Sequence, residues 1–431
     1  MRSPAYAWFV VAVLMVAYVF SFIDRQILSL LVKPIRADLG ISDTQMSLLI
    51  GFSFALFYSV CGIPIGRLAD HRSRRGIIAI GVFFWSLMTA ACGLARSYGS
   101  FFLCRIGVGV GEATLSPAAY SLIADYFPPA QRATAISVYA VGIYLGSGLA
   151  FLLGGVVVGY ASTHGEQVLP LLGAVRPWQI VFLLLGATGA VFTLALATVR
   201  EPPRQGAGAA HPPFSALLAH LNANRRTVIC HNLGFALIAL GSYGSSTWIP
   251  SFFIRTYGWS AADAGLGFGA VVMVFGSAGI VAGGRLADRW LARGVMDAHL
   301  RVGLWAALGA LPLALLFPLM PDARAALALI APLSFLFAMP FGVGPAALQE
   351  IMPKAMRAQA SALYLFVVNL IGLGLGPTAV ALFTDQVFHD DASVRYSLLI
   401  VVVAAAATAA LALRLGLAPY RATLARMQAA A

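Results

Sequence analysis

Cys104-Arg105-Ile106-Gly107-Val108-Gly109-Val110-Gly111-Glu112, with Ser116-Pro117 close behind, lies inside an apolar run from about Gly99 to Phe127. At about 1.5 Å per helical residue, such a run crosses the ~30 Å hydrocarbon core of a bilayer. A charged residue near the middle of a membrane helix costs roughly 2.5–3.5 kcal/mol on insertion scales. Arg105 and Glu112 are tolerable only where they face other protein or water. Their spacing turns the helix by roughly 700°, so both project from nearly one face, about 10 Å apart. The glycines at 107, 109 and 111 allow another helix to approach closely. One buried helix face therefore carries two opposite charges, which marks a functional site.

The bulk composition agrees with a membrane setting. The chain has 431 residues, 60% apolar and only 10% charged, against about 25% charged in a soluble domain. That is too little polar surface to cover a globule in water. The net charge of +12 would suggest nucleic acid in a soluble protein; here it has to be read by position, because membrane loops carry Lys and Arg on the cytoplasmic side. Cys61, Cys92, Cys104 and Cys230 lie in apolar runs without metal spacing and read as small buried hydrophobes. The N-terminus reads as an uncleaved first helix, not a signal peptide.

Apolar runs bounded by charge, Pro or Gly predict twelve spans: 8–33, 45–69, 77–95, 99–126, 132–160, 178–199, 227–255, 263–287, 301–320, 324–351, 357–385 and 396–416. The longest polar interruption, 200–226, divides them six and six. Residues 1–199 are expected to form one six-helix bundle, 200–226 a cytoplasmic linker, and 227–431 a second bundle. The halves repeat each other. Gly66-Arg67-Leu68-Ala69-Asp70 ends span 2 and Gly284-Arg285-Leu286-Ala287-Asp288 ends span 8. Asp125-Tyr126-Phe127-Pro128 with Arg132-Ala133 recurs, 225 residues on, as Glu350-Ile351-Met352-Pro353 with Arg357-Ala358. Two matches at corresponding places imply a duplicated unit. Nineteen of the 28 Lys and Arg residues fall on the N-terminal side of the membrane, seven on the other, and Arg25 and Arg105 are embedded. This asymmetry predicts both termini in the cytoplasm.

Depth places the embedded charges together. Asp24 lies about 24 Å from the inner end of span 1, and Arg105 about 9 Å from the outer end of the oppositely directed span 4. Asp24 and Arg105 are then expected partners, with Arg25 able to reach Glu112 or a ligand anion. Partnering lowers a carboxylate pKa and desolvation raises it, so an acid that loses its arginine during a conformational cycle can take up and release a proton. The alternative is a static pair that only joins helices. Two embedded guanidinium groups suit phosphate or carboxylate. The remaining lining candidates are Tyr18, Phe22, Phe52, Tyr58, Tyr139, Tyr144, Phe235, Trp248 and Tyr364, which could equally pack between helices. His231, Asn232, Asn369 and the Ser242, Ser245, Ser246, Thr247 group are further candidates, although intrahelical bonding is the commoner fate of Ser and Thr. No metal cluster, phosphate loop or nucleophile–base spacing is read from the chain, so no enzyme, nucleotide, cofactor or metal is expected.

Gly66-x-Leu68-Ala69-Asp70-His71-x-Ser73-Arg74-Arg75 resembles the loop between spans 2 and 3 that marks the major facilitator superfamily; His71 and Ser73 depart from its usual basic residue and glycine. The resemblance implies an all-α fold of two pseudo-symmetric six-helix bundles around a cavity. It also implies a cytoplasmic gate, for which the candidates are Asp70, Arg74, Arg75, Arg132, Asp288 and Arg357, with Asp70 near the start of span 11 and Asp288 near that of span 5. The alternative for Arg72, Arg74 and Arg75 is a role in setting topology alone. Asp24-Arg25, Arg105-x-Gly-Val-Gly-Val-Gly111-Glu112-Ala113, Ile123-Ala124-Asp125-Tyr126-Phe127 and Gly146-Ser147-Gly148-Leu149 resemble the spinster family of lipid transporters. That resemblance implies proton-coupled movement of a lysophospholipid or sphingoid lipid, with protons on Asp24 and Glu112 and with Arg25 and Arg105 tuning them or meeting the head group. A drug or small organic-anion transporter is the second expectation, and a non-transporting receptor or scaffold a distant third. The expected setting is a bacterial inner membrane, the expected partners lipid and protons, and the expected state a monomer.

Overall fold

The computed structural model describes residues 4–164, 167–169, 173–203, 213–353 and 356–429. It is all-α apart from one short antiparallel hairpin, Gln167–Leu169 with Gly173–Val175, between spans 5 and 6. Among the described residues, eleven helices are long and apolar enough to cross a membrane. They run Pro4–Leu30, Asp43–Ala69, Arg74–Cys92, Val138–Gly159, Pro177–Leu196, Arg225–Tyr257, Ala261–Ala292, Ala298–Leu319, Ala323–Glu350, Gln359–Phe388 and Asp391–Ala429. The remaining expected span, the fourth, is broken into Tyr98–Glu112 and Leu115–Tyr126. Pro117 explains the break: it has no N–H to give to Ala113, and its ring clashes with that carbonyl. Thr114 caps the first piece, its hydroxyl donating to the Gly111 carbonyl at 2.8 Å.

Local chemistry sets the ends. Ser42 with Gln45 and Ser97 with Ser100 form reciprocal caps at the starts of spans 2 and 4, and the Ser73 hydroxyl accepts from Gly76 N–H at the start of span 3. Span 1 ends earlier than the apolar run suggests. The chain turns at Leu31 into a short helix, Val32–Leu39, closed by Gly40 at φ 63°, where a side chain would be strained. The 200–226 interruption is not featureless: Phe214–Ala223 is a helix. Span 12 continues well past its apolar part, to Ala429.

The chain forms two compact units. One is Met1–Ala207 with Phe253–Met273; the other is Gly208–Phe252 with Val274–Ala431. In the first, span 1 packs along span 5 and span 3 lies between spans 4 and 6. Side chains such as Ile80, Leu103, Val191 and Leu194 are exposed on the outside of this unit, where lipid rather than water suits them. Inside, Gly109 and Gly111 let span 4 touch two neighbours. A Cβ at Gly109 would lie 2.8 Å from the Phe54 carbonyl oxygen on span 2, and one at Gly111 2.7 Å from Trp85 Cβ on span 3. Both contacts are with groups that cannot swing aside.

Gly109→Ala is therefore expected to destabilise the protein by about 1–3 kcal/mol through overpacking. Gly99→Ala, where a Cβ meets nothing within 4 Å, should be neutral or slightly stabilising. Thermal unfolding of the two purified variants beside the native chain checks this.

Candidate functional site

Arg25, on the last full turn of span 1, points at span 4. Its Nη2 and Nε lie 2.7 Å and 2.8 Å from Glu112 Oε2. Ser21, one turn earlier on span 1, donates to the same oxygen at 2.5 Å. The guanidinium carbon also lies 4.8, 4.4 and 4.8 Å from the ring centres of Phe22, Phe54 and Tyr58. Three aromatic faces and one carboxylate thus replace the hydration of this cation. The other carboxylate oxygen, Glu112 Oε1, is buried with no hydrogen-bond partner among the described residues.

Asp24, next to Arg25, meets the other embedded arginine. Arg105 Nη1 lies 3.4 Å from Asp24 Oδ1, and Thr89 of span 3 donates to Oδ2 at 2.5 Å. Arg105 is fully buried, and its Nε lies 3.4 Å from the Leu49 carbonyl. Leu49 belongs to a π-helical segment, Leu48–Phe52, and such a segment displaces carbonyls from the regular helical ladder. Arg105 Nη2 has no partner among the described residues. The two ion pairs cross between the same two spans, acid to base in one and base to acid in the other. Phe54 separates the guanidinium groups, 4.4 Å from Arg25 and 5.7 Å from Arg105. Four charges cancel within the cluster, yet one donor and one acceptor remain unused. Removing any one member would leave an opposite charge buried, which costs about 3–5 kcal/mol in other proteins.

The aromatic candidates separate by unit. In the first, Tyr18 stacks on Tyr139 at 4.5 Å and 2°, Phe22 meets Tyr18 edge-on at 5.1 Å, and Tyr58 stacks on Phe54 at 5.3 Å. Tyr120 is edge-on to Tyr139, and the Ser116 and Tyr139 hydroxyls are 3.3 Å apart. Tyr144 and Phe52 are half-buried in the same unit. In the second, His231 lies 4.9 Å from Phe235 and 5.3 Å from Tyr364, with Nε2 2.9 Å from the Gly344 carbonyl. Trp248 is fully buried and donates to the Pro377 carbonyl at 2.9 Å. Asn369 opens a π-helical segment of span 11 and is half-buried. Asn232 and Ser245 bond their own helix.

At the basic end of the first unit, Arg74 is buried and multiply bonded. It reaches Asp125 Oδ2 at 2.5 Å, Glu201 Oε1 at 2.8 Å, Ser121 Oγ at 3.0 Å and the Pro202 carbonyl at 3.1 Å. It thereby ties the start of span 3 to the end of span 4 and to the chain leaving span 6. Arg75 donates to the Val199 carbonyl at 3.3 Å. Partial burial alone would raise the Glu201 pKa, but hydrogen bonds from Arg75 N–H, Arg74 and Ser73 outweigh it and hold the carboxyl below its ordinary 4.5. Of the remaining gate candidates, Asp288 is exposed and Arg357 Nε lies 3.4 Å from the Met352 carbonyl. The side chains of Asp70 and Arg132 lie outside the described residues. Sequence reasoning overlooked Ser21, Thr89, Phe54 and Glu201. It also overlooked Asp43, a fully buried carboxylate held by Arg36 at 2.9 Å and by both terminal nitrogens of Arg255 at 2.5 and 2.8 Å. Ser21 alone left a signal, being one turn from Arg25 on the same helix face.

The family model of the Major Facilitator Superfamily matches residues 14–377. The chain belongs to this superfamily. As a member it is a transporter, not an enzyme. It is similar to a bacterial homologue of the human lysosomal transporter Spinster, solved in an inward-facing, unoccupied conformation, with a TM-score of 0.78, 27% identity and 98% of both chains covered. An MFS-type efflux pump of Mycolicibacterium smegmatis is 29% identical over 90% of this chain and 87% of its own. The sphingosine-1-phosphate transporter SPNS2 of Danio rerio is 28% identical over 65% of this chain and 56% of its own.

A folded pKa held down at Glu201 means stability present at and above the ordinary glutamate range and lost as pH falls through the lowered value. The melting temperature of Glu201→Gln should therefore lie below that of the native chain at neutral pH, and the two should converge as pH falls through the lowered value.

Proposed function

We propose that the protein is a proton-coupled secondary transporter of an amphiphilic lipid with an anionic head, of lysophospholipid or sphingoid-phosphate type. It works by alternating access of its two halves, with both termini in the cytoplasm. One observation carries the reading: a single buried guanidinium, Arg25, is shared between a carboxylate that can be neutralised and an aromatic cage that cannot. Protonating Glu112 removes the anion opposite Arg25 and leaves the cation among Phe22, Phe54 and Tyr58. A phosphate or carboxylate head can then take the place of Glu112, with aromatic surface beside it for the apolar part. Losing the proton restores Glu112 as the competitor and expels the head group. Asp24 and Arg105 form the second pair of the same kind, with Thr89 donating to Asp24 and the Leu49 carbonyl accepting from Arg105. The SPNS2 relative, a sphingosine-1-phosphate transporter, supports the lipid assignment. The basic excess on the side of the termini supports the orientation.

The second reading, export of a drug or small organic anion, is supported by the efflux pump that matches most of the chain. Arg25 and Arg105 would serve any anion; the apolar part of the substrate distinguishes the two.

Flux into proteoliposomes separates them. A fluorescent lysophospholipid and a soluble aromatic carboxylate are compared with and without an imposed pH gradient, in the native chain, Asp24→Asn and Glu112→Gln. Gradient-driven lipid flux that falls at least about tenfold in Glu112→Gln is expected, since general proton-transfer groups contribute at least that much. Gradient-driven flux of the carboxylate alone would discard the lipid assignment. Variants that match the native chain under every gradient would discard the coupling.

A further inference from the structure

Asp125 and Glu350 are counterparts in the repeat, and each is paired with a base at the start of the third span of its own half, Arg74 in one and His299 in the other. Both pairs are closed. Arg74 Nη1 lies 2.5 Å from Asp125 Oδ2, and His299 Nδ1 lies 3.2 Å from Glu350 Oε2. Each unit thus fastens the start of its third span to the end of its fourth with a cation and a carboxylate. The acid is kept between the halves and the base is not. A guanidinium stays charged throughout the physiological range, whereas imidazole is the side chain that changes charge near neutrality.

The surroundings of His299 make that difference consequential. Tyr420 of span 12 donates to the same Glu350 oxygen at 2.6 Å and to the Ala347 carbonyl at 2.9 Å, so spans 9, 10 and 12 meet at one carboxylate. His220, on the 214–223 helix, lies 3.0 Å from the next carbonyl, Ile351. The other charges nearby are fixed. Asp297 precedes His299 and is held by Arg301 at 2.6 Å, with Arg421 of span 12 at 3.6 Å. Arg357 acts on Glu350 through space. Span 8 packs against span 9 and carries Asp288, Arg289 and Arg293 at its end, all exposed. His299 itself is buried and Glu350 half-buried, so loss of the imidazole charge is not made good by water.

We infer that His299, Glu350 and Tyr420 form a proton-binding clasp at the basic end of the second unit, separate from the embedded charges of spans 1 and 4. With the imidazole charged, the contact with Glu350 is an ion pair as well as a hydrogen bond. As pH rises and the proton leaves, the Coulombic attraction between two full charges is lost, only a hydrogen bond from a neutral imidazole to the carboxylate remains, and the ends of spans 9, 10 and 12 are held more weakly. The Arg74 clasp of the first unit does not respond. With the termini in the cytoplasm, His299 reads cytoplasmic pH, and it does so whatever the transported substrate is.

Amide hydrogen exchange of the full-length chain in lipid nanodiscs, corrected for the intrinsic pH dependence, tests this. Between about pH 5.5 and pH 8, local opening of peptides covering 298–303 and 345–352 should rise on the order of fivefold. Peptides covering 74–80 and 119–126 should not change. His299→Arg should hold the second set of contacts closed at both pH values. Glu350→Gln, which tests the clasp from its other side, should remove the response and leave the segments at the open level. A native pH profile retained in either variant, or an equal response in both units, would overturn the inference.

Discussion

Everything near the centre of this protein follows from the need to keep two acids and two bases inside the membrane. Unpaired, each would cost several kcal/mol; paired crosswise, Asp24 with Arg105 and Arg25 with Glu112, they cancel between just two helices. That solution constrains the helices around it. Span 4 must come within backbone contact of spans 2 and 3, which its glycines permit. Span 2 carries a π-helical segment where Arg105 needs a carbonyl. Span 3 offers Thr89 to Asp24, and span 2 supplies Phe54 to lie between the two guanidinium groups. The cluster is neutral as a whole but not saturated, because Glu112 Oε1 and Arg105 Nη2 are left without partners among the described residues. A purely structural knot would gain by filling both. An acceptor and a donor held open in a neutral cluster suit one that changes partners.

The two halves share their ancestry but not their chemistry. The first unit holds the embedded ion pairs; the second places His231 among Phe235, Tyr364 and the Gly344 carbonyl. At the basic end the difference recurs, as Arg74 in one and His299 in the other. A duplicated unit lets each copy vary on its own: at the basic end the first holds its carboxylate with Arg74, and the second holds its own with His299.

Much of this was legible before any coordinates. The seven-residue spacing of Arg105 and Glu112 was enough to place both on one buried face, because helical periodicity is a local property. Asp24 and Arg25 followed from depth alone, and the span count from hydropathy. Pro117 lay in plain sight, yet only the structure showed that it splits span 4. The supporting residues were not readable. Thr89, Phe54 and Glu201 belong to other elements, and nothing in a run of Thr, Phe or Glu says which neighbour it will meet. The same holds for the π-helical segments, which are set by packing, and for the 214–223 helix, whose ten residues are too short for periodicity to stand out. Of the four cysteines, read as small buried hydrophobes, Cys92 is buried and Cys61, Cys104 and Cys230 are half-buried.

The central claim is that an anionic ligand and a proton act on the same Arg25–Glu112 pair. Its most direct test is the number of protons taken up when the purified protein binds a lysophospholipid, read with a pH indicator in weakly buffered solution. The account predicts uptake of about one proton per ligand near neutral pH, with binding that tightens as pH falls. In Glu112→Gln, binding should persist with no proton uptake and no pH dependence. Binding by the native chain without proton uptake, or uptake that survives in Glu112→Gln, would contradict it.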